Sequence, residues 1–204
     1  DGGGTGTTVR HETVSWMTAG VADMRGVSAA RGLDSPAVYG HSMGAAAAAW
    51  LATGTDLDAL VLEDPARFAD SEPQMAADER RRFVRERVYE WRGQSLAERS
   101  GALDGEGEQA RRCAVAQGEC DPRIEHLARA GYPVTSEAFS DIDCPTLVLK
   151  ADADDSVRQT ERRRAEPLDG SLVHVDGAGH TVVRDKFDAA VGEIRAFIEQ
   201  RGVA

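Results

Sequence analysis

Apolar positions along this chain switch between two periods. Val14, Met17, Val21 and Met24 recur at intervals of three and four, which predicts a helix over 9–31 that stops at Gly32. Residues 36–40, Pro-Ala-Val-Tyr-Gly, read as a short apolar strand. The alanine-rich stretch 43–53 predicts a slim helix able to lie very close to a sheet, ended by Gly54. A buried strand follows at 59–63, closed by Asp64-Pro65. After a long interval the pattern resumes with a strand at 145–150, a helix across 157–167 and a strand at 171–175. A last helix over 182–201 carries Phe187, Val191, Ile194 and Ile198 on one face. Short apolar strands alternating with amphipathic helices predict an α/β fold with a doubly wound, mainly parallel sheet.

The stretch 66–141 differs: it is charged, arginine-rich and without strand periodicity. Its one apolar stripe is Phe83, Val84, Val88 and Trp91, and 101–108 reads as a Gly/Glu/Asp-rich turn. It is expected to be a helical insert that divides the core into 1–65 and 142–204. Residues 1–8, Asp-Gly-Gly-Gly-Thr-Gly-Thr-Thr, are expected to form a loop.

Composition narrows the function classes. At 204 residues with 41% hydrophobic content, the chain can bury a core of its own. A net charge of -11 repels phosphate backbones and anionic lipid, which argues against a nucleic-acid or membrane-surface role. No apolar run approaches the ~20 residues of a spanning helix. Three cysteines, Cys113, Cys120 and Cys144, are too few and too odd for a disulfide scaffold and fit a reducing, cytoplasmic setting. Cys113 and Cys120 with His126 follow no zinc spacing, so no metal is expected. Only two of the 24 basic residues, Lys150 and Lys186, are lysines.

Candidate chemistry begins at Gly40-His41-Ser42-Met43-Gly44, a G-x-S-x-G between a strand and a helix. So sharp a turn forces the serine into a strained conformation with its hydroxyl projecting, and the flanking glycines leave room for neighbouring backbone. The Met43 amide, at the helix N-terminus, can point at a developing oxyanion. A serine needs a base. Of the five histidines, His11 opens a helix, His41 lies inside the turn, His126 is in the insert and His174 is within a strand. His180 follows Gly177-Ala178-Gly179 in a loop at the carboxyl end of the sheet, where ligands bind in this architecture, and is the best base. For the carboxylate that orients it, Asp154 is the first choice and Asp152 the second, with Glu63 and Asp64 as the alternative position.

The chain order Ser42, Asp154, His180 resembles that of the α/β-hydrolase family. Gly40–Gly44 is similar to its nucleophile elbow, Pro145–Leu149 with Asp154 and Val157 to its acid segment, and Gly177–His180 to its terminal histidine segment. The resemblance implies that 66–141 is the family's helical cap, lying over Ser42. It also implies a serine hydrolase of small carboxyl esters or lactones, working through an acyl-enzyme with no cofactor. An acyltransferase or C–C hydrolase using the same triad, or a binding domain that kept the fold without catalysis, are the alternatives. Asp1–Thr8 resembles the family's D-x-R-G-x-G-x-S loop after strand four, with Gly3 in place of Arg and Thr8 in place of Ser. On that alignment strands one to four, with the second oxyanion donor, are absent, and these 204 residues alone are expected to be inactive. The oligomeric state is left open.

Overall fold

The computed structural model describes residues 16–69, 75–103, 107–128 and 133–202. The loop expected at 1–8, and His11, lie outside the described residues. In chain order the elements are α1 (Trp16–Arg31), β1 (Ala37–His41), α2 (Met43–Ala52), β2 (Ala59–Glu63), α3 (Ala77–Gly93), α4 (Leu96–Gly101), α5 (Gly107–Glu119) and α6 (Ile124–Ala128). A 3-10 segment (Thr135–Asp141), β3 (Thr146–Lys150), α7 (Asp155–Ala165), β4 (Gly170–His174), α8 (Val182–Asp185) and α9 (Phe187–Arg201) complete it. The described residues divide into two units within α1: 16–23 with 75–128, and 24–69 with 133–202.

The second unit is the sheet unit. Its four strands run parallel in the order β1-β2-β3-β4. Every residue of β2 and β3 is buried, as expected of a parallel sheet covered on both faces. Alternation then sorts them. Leu60, Leu62 and Val148 pack with α2, Phe68 and Phe139, while Val61, Leu147 and Leu149 pack with Val182, Ala190 and Phe197. Each such side chain, fully buried, contributes about 1.5–3 kcal/mol. The five alanines Ala45–Ala49 make α2 a strong helix former with almost no side-chain bulk, which lets it lie against the sheet. Register aligns the carboxyl ends: His41 pairs with Glu63, Glu63 with Leu149, and Lys150 with His174. The C-terminal helix is broken at Lys186 into α8 and α9 rather than continuous over 182–201.

The described part of 66–141 is mostly helical, but its ends pack with the sheet. Phe68 and Phe139 meet edge to face at 5.6 Å in the sheet core, and the Thr135 hydroxyl donates to the Ala66 carbonyl at 2.7 Å. These residues belong to the sheet unit because burial there takes two large aromatic rings out of water.

The first unit holds α3–α6. Ser95 and Glu98 form a capping box at the start of α4. The apolar stripe on α3 is narrower than its spacing predicts. Val88 is buried, but Phe83 is 47% exposed and carries the Arg87 guanidinium over its face at 5.7 Å.

Candidate active site

Ser42 sits between β1 and α2 with φ 54° and ψ −115°, a conformation costly for any residue with a Cβ. The fold over-determines it. Its amide donates to the Glu63 carbonyl at 2.8 Å, and its carbonyl accepts from the Ala46 and Ala66 amides at 3.0 Å each. Gly40 is sterically required: a Cβ there would lie 2.5 Å from the Gly44 carbonyl oxygen. A Cβ on Gly44 would meet nothing within 4 Å, so only the first of the two flanking glycines leaves room for neighbouring backbone.

His180 faces the serine. Its Nε2 lies 2.9 Å from Ser42 Oγ, and its Nδ1 lies 2.6 Å from Asp64 Oδ2. An ionised carboxylate only accepts, so Nδ1 carries the proton, and the Nε2 lone pair accepts from the Ser42 hydroxyl. The His180 loop is held by several bonds. Asp152 accepts from the Gly177 amide at 2.8 Å, and Asp185 accepts from the Gly179 amide at 2.9 Å. His41 Nε2 donates to the His180 carbonyl at 3.0 Å, with the two rings 4.9 Å apart. His41 thus braces the His180 loop, a contact its position inside the turn does not advertise.

The acid expected at Asp154 is corrected by this geometry. Asp154 is the N-cap of α7, accepting from the Ser156 amide at 2.9 Å, the Val157 amide at 3.0 Å and the Ser156 hydroxyl at 2.7 Å. Those orphan helix donors hold its carboxylate at the helix end. Asp152 is likewise engaged, with Gly177 and Arg158. Glu63, 3% exposed, accepts from the Tyr39 hydroxyl and from the Val183 amide. Burial, then the hydrogen bond and charge of Glu63, push the Tyr39 phenol well above its ordinary range. Asp64 is the carboxylate brought to His180. It adopts φ 37°, and its amide donates to the Leu149 carbonyl at 2.7 Å. Burial pushes its carboxyl up, but Lys150, through charge and hydrogen bond, and then His180 outweigh this and hold it below the usual aspartate range.

Met43 is the first residue of α2. His174 is buried and bonded to Glu161, and His126 lies on α6 in the other unit. Cys120 and Cys144 are buried and Cys113 is exposed, and the three form no disulfide. Among the described residues, no group of three or more His, Cys, Asp and Glu is arranged to hold a metal ion, and no helix is long and apolar enough to cross a membrane.

A family model described as the alpha/beta hydrolase family matches residues 4–193. Among curated proteins, none matches the chain in sequence. Solved structures share the fold. MenH from S. aureus is 19% identical with a TM-score of 0.71, over 99% of this chain and 82% of its own. An esterase from Exiguobacterium antarcticum is 15% identical with a TM-score of 0.72, over 98% and 80%. A thermophilic esterase from Thermogutta terrifontis is 23% identical with a TM-score of 0.70, over 97% and 77%.

Proposed function

The chain belongs to the alpha/beta hydrolase family, and from that premise we propose that it is a serine hydrolase of small carboxyl esters, with Ser42 as nucleophile, His180 as base and Asp64 as the carboxylate that orients it. The supporting observation is the unbroken chain of contacts from Ser42 Oγ through His180 to Asp64, 2.9 and 2.6 Å long, at the carboxyl edge of the sheet. Ser42 Oγ attacks the acyl carbon as His180 Nε2 takes its proton. The Asp64 carboxylate stabilises the imidazolium that forms. The Met43 amide, at the start of α2, serves as an oxyanion donor. His180 returns the proton to the leaving alcohol, and water then releases the acyl group by the same steps reversed. No step needs a cofactor. The intact triad geometry favours catalysis over a binding domain that merely kept the fold.

The test is covalent. Applied to the full-length protein, a fluorophosphonate probe is expected to modify Ser42, located by peptide mass spectrometry, and p-nitrophenyl acetate is expected to be hydrolysed with a burst. Labelling that persists in Ser42→Ala would overturn the assignment.

A further inference from the structure

Lys150 ends β3, is 8% exposed, and lies beside Asp64. Its ammonium is 2.7 Å from Asp64 Oδ1, 3.2 Å from Glu161 Oε1 and 4.8 Å from the centre of the Phe68 ring. The other oxygen of Glu161 accepts from His174 Nε2 at 2.6 Å. Both oxygens of Asp64 are therefore committed, Oδ2 to His180 and Oδ1 to Lys150. A buried ammonium is kept only with close, well-aligned partners, so the pair resists rotation of either side chain. A lone aspartate on a strained turn has no such restraint.

We propose that Lys150 is a positioning residue: it clamps Asp64 Oδ1 so that Oδ2 stays in line with His180 Nδ1, while Glu161, itself held by His174, anchors Lys150 from the other side. The proposal rests on Asp64 orienting His180, as read above. The groups around the clamp are Asp64 after β2, Glu161 on α7, His174 on β4 and the Phe68 ring. Those around His180 are Ser42, Asp64 and His41, with Asp185 on the adjacent Gly179 amide.

The test has a readout independent of turnover. The His180 Nδ1 proton, held against Asp64, is expected to give a far-downfield proton NMR resonance, assigned by its loss in Asp64→Asn. Lys150→Met is expected to lose or broaden that resonance while the protein still melts cooperatively, and Lys150→Arg, which keeps charge and donors, is expected to retain it. With p-nitrophenyl acetate, Lys150→Met is expected to lower kcat about 10- to 100-fold with KM changed by less than about threefold, as misalignment costs rate more than binding. Should Lys150→Met fail to fold, uncharged Lys150→Gln carries the same measurements. An unchanged resonance and kcat in either folded variant overturns the clamp. Loss of the resonance in a protein whose Ser42 resists fluorophosphonate would instead keep the clamp and overturn the hydrolase reading.

Discussion

In the sheet unit, Lys150 is a buried cation tied to two carboxylates at the edge where the candidate site lies. In the helical unit the cations are arginines, and several of them meet backbone carbonyls. Arg99 donates to Ala114 and Trp91 at 2.7 Å each and also to Gln94, while Arg92 donates to Cys120 at 3.1 Å and Arg80 to Met75 at 2.6 Å and to Ala128. The contrast follows from what each region can bury. The sheet fills both its faces with Leu, Val, Phe and Ala, so polar groups concentrate at the carboxyl ends of the strands. Helix α3 buries only Val88, and α4 buries nothing. There, backbone carbonyls on or beside the helices meet guanidinium donors instead. The Lys150 charge meets carboxylates beside the candidate site, whereas the Arg80, Arg92 and Arg99 charges meet backbone carbonyls.

The sharpest way to break this comparison is at Ser42, the proposed nucleophile. Ser42→Ala is expected to lower ester hydrolysis on the order of 10⁶-fold with little change in thermal stability. Ser42→Gly is expected to be as inactive but to melt higher, by about 1 kcal/mol, because glycine accepts the φ of 54° without strain. Calorimetry on both variants checks this, and equal melting temperatures would mean that the turn stores no strain.

The next test sets two carboxylates against each other. Asp64→Asn is expected to cost about 10⁴-fold in kcat, as the histidine loses its tautomer control. Asp154→Ala should cost less than about tenfold, because Asp154 caps a helix. The pH dependence has a definite sign. The folded value of Asp64 lies below the ordinary 3.8, so its ionised form adds stability that is complete above that value. That contribution is lost as pH falls through the folded value. The wild type's advantage over Asp64→Asn in urea midpoints is therefore expected to hold at neutral pH, to begin falling as the pH drops to 3.8, and to vanish only once the pH lies below the folded value.

These two aspartates also show how much was legible beforehand. The parallel sheet could be read because β2 and β3 are continuous apolar runs, and the serine turn because its strand and helix lie on either side of it. The histidine followed from its place after β4. The carboxylate that meets His180 was hidden because two loops carry carboxylates at the same edge of the sheet. A local signal was available in Asp154-Asp155-Ser156-Val157, an N-cap ahead of a helix, which engages Asp154 before any tertiary contact forms. Lys150 gave a second signal, a charge ending a run of buried strand residues, which needs a carboxylate partner from a neighbouring strand's end. The role of His41 was not legible, because it depends on where the His180 carbonyl turns. The insert's limits were blurred for a similar reason: Phe68 and Phe139 lie in charged surroundings in sequence and in the sheet core in space.

A smaller effect separates the glycines of the turn. Gly40→Ala places a Cβ 2.5 Å from the Gly44 oxygen and 2.7 Å from the Ala45 nitrogen, all backbone atoms that cannot move aside cheaply. The expected cost is about 3 kcal/mol in sheet-unit stability, since overpacking against backbone has no low-energy relief. Gly44→Ala meets open space within a helix and is expected to be neutral or stabilising by up to about 1 kcal/mol. Urea unfolding followed by Trp50 fluorescence on α2 distinguishes the two, and a matching loss in both would refute the steric argument.

The mildest test lies in the helical unit. Arg99 serves the carbonyls of Trp91 and Gln94 at the end of α3 and of Ala114 on α5, from its own place on α4. One planar guanidinium thus satisfies acceptors from three places at once, which a lysine ammonium cannot do from one position. Arg99→Met keeps the length of the stem and removes every donor. It is expected to cost about 1.5–3 kcal/mol, the usual worth of hydrogen bonds to a charged group. Arg99→Lys should recover only part of that. The loss is expected to be local, so hydrogen exchange measured peptide by peptide should quicken across α4 and α5 while β2 and β3 keep their protection. If exchange quickened equally in both units, the arginine bonds would be holding the whole chain rather than the helices they join, and the division of labour drawn above would fail.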